Sequence, residues 1–283
     1  MTVRIVSDST ADISPDQARA AGITIVPLTV FFGDEAYLDG IDLDSTGFYR
    51  KLQLSKELPR TSQPSPAAFQ EAYIGLINEG ADAILSVHLS AKLSGTYQSA
   101  CTARDTFPDT VKKIPIEIID SQSISVGMSR AILRAAQEAR EGLGLPEIKA
   151  HVLDELARTR ILAVLDTLEY LKRGGRIGGA RAFLGNVLSV KPIISLKDGE
   201  VIPVEQPRTR SKAYARVAQL LQEMGKVEHV SIADSSEEAG QQLAEEVKTV
   251  YAGELSMHRL GAVLGTHTGP GTAAIAAVIA KQD

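Results

Sequence analysis

Several kinds of residue are scarce in this chain of 283 residues, and each scarcity excludes something. There is one cysteine, so no internal disulfide can form. Cys101 lies among helix-favouring residues and reads as a small core side chain rather than a nucleophile. No apolar run approaches the roughly 20 residues of a membrane span, so stable membrane insertion is not expected. Lys and Arg number 30 against 35 Asp and Glu, giving a net charge of −5. The basic residues are also scattered, which leaves no electrostatic footprint for nucleic acid. Of the five histidines, no two have metal-ligand spacing, so no metal is expected. Neither a Walker A loop nor a dinucleotide glycine fingerprint is present, and the glycines of Arg173-Gly174-Gly175-Arg176 follow a helical stretch rather than a strand. A nucleotide cofactor is therefore disfavoured. Met1 leads straight into the strand-like Val3-Arg4-Ile5-Val6, without the basic and apolar regions of a signal peptide, and a cytoplasmic location is expected.

What is present is an ample apolar fraction, 44% of residues, enough for a substantial core and too long a chain for one small domain. The first half alternates short apolar strands with amphipathic helices. Ser14, Pro15 and Gln17 form a helix start with a capping box, and Gly22 ends that helix. Strands are expected over 23–32, 83–87 and 116–119, and helices over 46–54, 66–79, 96–107 and 125–141. This alternation implies α/β with a mostly parallel sheet. After a helix over 146–158 the pattern changes. Strands are expected over 161–165, 190–196, 201–205, 230–233 and 260–264, with helices over 210–224 and 237–250, and Asp198-Gly199 is a hairpin turn signal. We therefore expect an N-terminal α/β domain over 1–159 and a C-terminal α+β domain over 160–283.

Three polar loops share one design, in which small hydroxyl residues follow an extended run and Pro or Gly opens a helix. They are Arg60-Thr61-Ser62-Gln63-Pro64-Ser65-Pro66, Leu89-Ser90-Ala91-Lys92-Leu93-Ser94-Gly95-Thr96 and Gly265-Thr266-His267-Thr268-Gly269-Pro270-Gly271. Helix starts offer unpaired N–H groups and partial positive charge, and hydroxyls add neutral donors, so such loops suit a carboxylate or a phosphate. Ordinary helix capping is the competing explanation for any one of them. His267 favours the ligand reading, because capping needs no imidazole. A Ser94–His267 pair would suit an acyl hydrolase or transferase, but Leu93-Ser94-Gly95 is not a nucleophile elbow. Such an enzyme would also need an acid to orient His267, with Asp8 or Asp12 as candidates. The carboxylates that follow strands, in Asp8-Ser9-Thr10-Ala11-Asp12, Asp120-Ser121 and Asp234-Ser235, suit turns and caps. Lys172, Arg173, Arg176, Arg181, Arg208, Arg210 and Lys212 form a basic cluster, either a solvated face, a docking surface for an acidic partner or a place to steady a phosphate.

Taken in order, these segments resemble the DegV family, specifically its fatty-acid-binding members that serve a bacterial fatty acid kinase. The resemblance is carried by Ser7-Asp8-Ser9-Thr10-Ala11-Asp12, Thr61-Ser62-Gln63-Pro64-Ser65, Leu93-Ser94-Gly95-Thr96-Tyr97-Gln98-Ser99-Ala100, Leu171-Lys172-Arg173-Gly174-Gly175-Arg176-Ile177-Gly178, Lys191-Pro192-Ile193 and Gly265 through Gly271, which together span nearly the whole chain. It implies two α/β domains with a palmitate-, oleate- or stearate-like acid between them. Its carboxylate would meet Thr61, Ser94, the backbone around Gly95, and His267, with help from Ser62 and Thr268. It also implies that the chain is a carrier with no catalytic residues of its own. A separate fatty acid kinase would phosphorylate the bound acid, and an acyltransferase would use the acyl phosphate for phospholipid synthesis. Arg173, Arg176, Arg208 and Arg210 then become candidates for partner contact.

Overall fold

A computed structural model describes residues 1–107, 114–183 and 190–281. The first part of the chain runs β1 (Val3–Asp8), α1 (Pro15–Ala21), β2 (Ile23–Val26), β3 (Thr29–Phe32), β4 (Glu35–Leu38), α2 (Ser45–Leu54), β5 (Arg60–Ser62), α3 (Pro66–Asn78), β6 (Ala83–His88), α4 (Thr96–Asp105), β7 (Ile116–Asp120), α5 (Val126–Arg140) and α6 (Leu145–Arg158). It continues with β8 (Thr159–Val164), α7 (Glu169–Arg173), β9 (Ile193–Lys197), β10 (Glu200–Glu205), α8 (Arg210–Glu223), β11 (Val227–Asp234), α9 (Glu237–Lys248), β12 (Leu255–Arg259), α10 (Ala262–Thr268) and β13 (Ala273–Ile279).

Strands β2-β1-β6-β7 form a parallel sheet with helices on both faces. Side chains alternate between the faces: Ile5, Leu85 and Val87 pack against Met128, Ile132 and Ile148 of α5 and α6, whereas Val6 and Ile84 meet Phe69 and Tyr73 of α3 and the alanines of α4. The second sheet has the order β10-β9-β8-β13-β11-β12 and is antiparallel except for β11 with β12. One of its faces is covered by α8 and α9 through Tyr214, Val217 and Leu243. Its other face, carrying Ile161, Ala233 and Ala276, turns toward Val126 of α5 and Leu264 of α10. The α/β fold with a parallel and a mixed sheet agrees with the sequence pattern, as does the Asp198-Gly199 turn, where both residues have positive φ.

Several elements differ from expectation, among them β4, β5 and β12, which no sequence signal marked as strands. The single strand expected over 23–32 breaks at Pro27, and its second half, β3, joins β4 and β5 in a separate three-stranded antiparallel sheet. Strand β13, central in the second sheet, was not anticipated, because Ala273-Ala274-Ile275-Ala276-Ala277-Val278-Ile279 is rich in a helix-favouring residue. Burial between two layers selects its small side chains. The strand expected over 260–264 is instead the start of α10, and Gly265 through Gly271 end that helix rather than open one. The cause is tertiary: carboxylates of the first domain capture the N–H groups at the start of this apolar segment, accepting from Gly261 (Asp12 Oδ1, 2.9 Å) and Ala262 (Asp39 Oδ1, 3.0 Å).

Candidate ligand site

Helix α10 comes from the C-terminal half of the sequence, yet Ala262 and Val263 pack with Leu28, Val30 and Phe48 of the three-stranded sheet and α2. Burial among neighbouring acids pushes Asp12 up to about 8 and Asp39 up to about 6, so the carboxyls that cap α10 hold protons that a solvated carboxyl would release. The Ser125 hydroxyl also donates to Asp12. At the other end of the helix, His267 Nε2 lies 2.9 Å from the Thr61 hydroxyl of β5. Thr61 faces inward because strand alternation turns its neighbours Arg60 and Ser62 to solvent.

Around this pair opens an apolar cavity. Thr61, Ser94, Arg176, His267 and Thr268 line it together with Ser125, Ser195 and Thr272, and the rest is Leu, Ile, Val and Ala from both halves of the chain. Ser94 lies in a turn closed by Ser94 N–H to Ser90 O (3.1 Å), and the Ser90 hydroxyl bonds Gly199 O of the opposite hairpin at 2.7 Å, tying the loop across the cleft. Arg176 donates to Leu93 O (3.0 Å) and Gly174 O (2.6 Å), a third tie.

Burial, reinforced by the positive charge of Arg176, lowers His267 to about 4. The imidazole is therefore neutral at ordinary pH. Its Nδ1 is buried and, among the described residues, has no hydrogen-bond partner. Gly174 makes room for the ring, since a Cβ there would lie 2.3 Å from Nδ1. A neutral imidazole, the hydroxyls of Thr61, Ser94 and Thr268 and one guanidinium bordering an apolar cavity suit a single carboxylate on a hydrocarbon chain.

The sequence candidates divide accordingly. Thr61, Ser94, His267 and Thr268 come together, whereas Ser62 is exposed on the far side of β5. Gly95 flanks Ser94 without lining the cavity, and a Cβ there would strike Gln63. Capping is done largely by other residues. Ser65, not Thr61, caps α3, while Thr266 and Thr268 bond back to Ala262 O and Leu264 O. Ser94 retains a local role, accepting from Thr96 N–H at 3.3 Å and pairing with the Thr96 hydroxyl at 2.9 Å. Arg176 sits at the cavity mouth. Arg173 pairs with Glu169 on the surface, Arg208 is exposed, and Arg210 joins Lys191 on Asp166.

Neither Asp8 nor Asp12 orients His267. Asp8 instead bonds buried His88 at 3.0 Å, continuing through Ser86 to Tyr73. Among the described residues no cluster of His, Cys, Asp and Glu is arranged to hold a metal, and no helix is long and apolar enough to cross a membrane. The contribution of Arg176 to the pocket and the closeness of Gly174 to His267 were not foreseen. The one sequence signal for both was the Arg173-Gly174-Gly175-Arg176 run, which is silent about what the glycine faces.

The fold and site define a two-domain α/β protein with an apolar cavity closed by a polar, near-neutral cluster. This chain belongs to the DegV family, described as uncharacterised proteins, which it matches over residues 2–280. It is 36% identical over 284 residues to a DegV domain-containing protein of Halalkalibacterium halodurans, covering 99% of both chains. Among solved structures, it superposes on a DegV family protein of Thermus thermophilus described for fatty acid binding with a TM-score of 0.90 and 35% identity, covering 99% of this chain and 100% of that one. A stearic-acid-binding protein of Eubacterium ventriosum gives a TM-score of 0.90 at 28% identity, with 98% of each chain covered.

Proposed function

We propose that this protein binds one long-chain fatty acid, with the tail in the apolar cavity and the carboxylate at Thr61, Ser94 and His267, assisted by Thr268 and Arg176. The observation that carries this reading is His267, bonded to Thr61 and with a buried Nδ1 that has no partner among the described residues, on the wall of a mainly apolar cavity. Burying about 15 methylenes at roughly 0.8 kcal/mol each would supply on the order of 12 kcal/mol before ordering costs, so the tail drives binding and the head group orients it.

The protein acts in the cytoplasm as a carrier rather than an enzyme. A separate fatty acid kinase phosphorylates the presented carboxylate, and an acyltransferase uses the acyl phosphate for phospholipid synthesis. Arg173, Arg208 and Arg210 form the partner surface, and Arg176 serves both the head group and that contact. The domain boundary falls at 159/160, one residue into β8; in support, the parallel sheet draws its strands from before it and the mixed sheet, Thr159 apart, from after it. A Ser94–His267 hydrolase is the less favoured reading, because His267 bonds Thr61 and its Nδ1 meets no carboxylate among the described residues.

Incubation with oleic acid and ATP, with and without the kinase, tests the carrier role. Acyl phosphate should form only when both proteins are present, and hydrolysis of an activated acyl ester by this chain alone would refute it.

A further inference from the structure

The apolar cavity has a neighbour on the outside of the molecule, a polar groove lined by residues 120–123, Leu156, Arg160 and Lys197. Three residues line both spaces: Ile161 of β8 and Ser195 and Leu196 of β9. These three residues stand between the two spaces. They lie at the end of the cavity remote from the head group. Ala273 pairs with Val164, next to Thr272, whose hydroxyl bonds Thr268 O at 3.0 Å, so the Val164 end of β8 is the polar end. Ala163 and Ile161 follow on the same face, and Ile161 lies about 7 Å beyond Ala163 along the strand.

The position of Ile161 is built rather than incidental. Gly127 of α5 approaches so closely that a Cβ there would lie 2.2 Å from Ile161 Cδ1. From the other side, the Ser195 hydroxyl donates to Ile161 O at 2.6 Å and fixes β9 against β8 at this point. A packed side chain with a glycine behind it and a strand pinned beside it has little freedom to swing aside.

We propose that Ile161, backed by Leu196, is the stop that meets the methyl end of the ligand and sets the longest acyl chain the protein encloses. This rests on the fatty acid reading above. Ile161→Ala vacates three carbon positions, room for about two methylenes, and each methylene withdrawn from water is worth about fourfold in affinity.

The test compares stearic acid with arachidic acid, two methylenes longer, by displacement of a fluorescent fatty acid. In Ile161→Ala the arachidic-to-stearic affinity ratio should rise on the order of tenfold over wild type. Leu196→Ala, at a half-buried site less able to disturb folding, should move the ratio the same way. Wild-type protein supplies a measurement independent of any variant: stearic acid bearing a diazirine at its methyl end should photolabel Ile161, Ser195 or Leu196. An unchanged ratio in folded variants, or label confined to residues near Thr61 and His267, overturns the proposal. Wild-type protein that binds neither acid instead overturns the fatty acid reading and this inference with it.

Discussion

Adding one methyl group at Gly174 should weaken ligand binding without unfolding the protein. Gly174 has φ −70° and ψ −9°, a conformation alanine adopts without strain. The new Cβ would lie 2.3 Å from His267 Nδ1 and 2.9 Å from its Cε1, so the ring must move by about an ångström to restore ordinary contact. That movement breaks the 2.9 Å contact with Thr61 and withdraws the imidazole from the head group. In the free protein the lost bond costs about 1 kcal/mol, offset by roughly 0.4–1 kcal/mol from the reduced entropy of the unfolded chain. Stability should therefore stay within about 1 kcal/mol. In the complex, a hydrogen bond to a charged carboxylate is lost, about 1.5–3 kcal/mol, or roughly 10- to 150-fold in affinity. Displacement of a fluorescent fatty acid measures the affinity, and urea unfolding measures the stability. Gly75→Ala on α3 is the control, since a Cβ added there meets nothing within 4 Å and binding should not change. Affinity within twofold of wild type in a folded Gly174→Ala protein would refute the role of His267.

Thr61→Val and Ser94→Ala should each weaken fatty acid binding by about 1.5–3 kcal/mol in the same assay, with unfolding free energies within about 1 kcal/mol of wild type. Asp12, raised to about 8, holds in the folded state a proton that the unfolded chain releases; its contribution is present below its ordinary carboxyl range and is lost as pH rises through about 8. Urea unfolding should accordingly find Asp12→Asn gaining stability relative to wild type across that rise. His267 acts in the opposite window: lowered to about 4, it leaves the unfolded chain binding more protons between about pH 6.5 and 4, so stability falls on acidification there. His267→Gln should gain relative to wild type as pH drops through that interval, as measured by thermal unfolding at matched ionic strength.

Much of the fold was legible because the parallel strands and their helices carry local signals: Ser14 and Gln17 as a capping box, Gly22 in the left-handed region, short apolar stretches such as Ile5-Val6 in β1 and Ala83-Ile84-Leu85 in β6. The hydroxyl-rich loops likewise pointed to Thr61, Ser94 and His267 before any geometry. What was hidden depends on contacts between distant segments. Residues 262–268 form a helix because Asp12 and Asp39, more than 200 positions away, accept the N–H groups of Gly261 and Ala262 at its start. The alanines of β13 make a central strand because helices and neighbouring strands leave no space for larger side chains. Arg176 belongs to the pocket as well as the surface because its guanidinium bridges Leu93 and Gly174. Periodicity and spacing encode none of these.

Native mass spectrometry of the purified protein, followed by denaturing extraction, tests the central claim most directly. We expect one adduct per chain with the mass of a long-chain fatty acid, released intact by organic solvent. A chain that carries no lipid, and whose melting temperature does not move when oleic acid is added, would contradict the account.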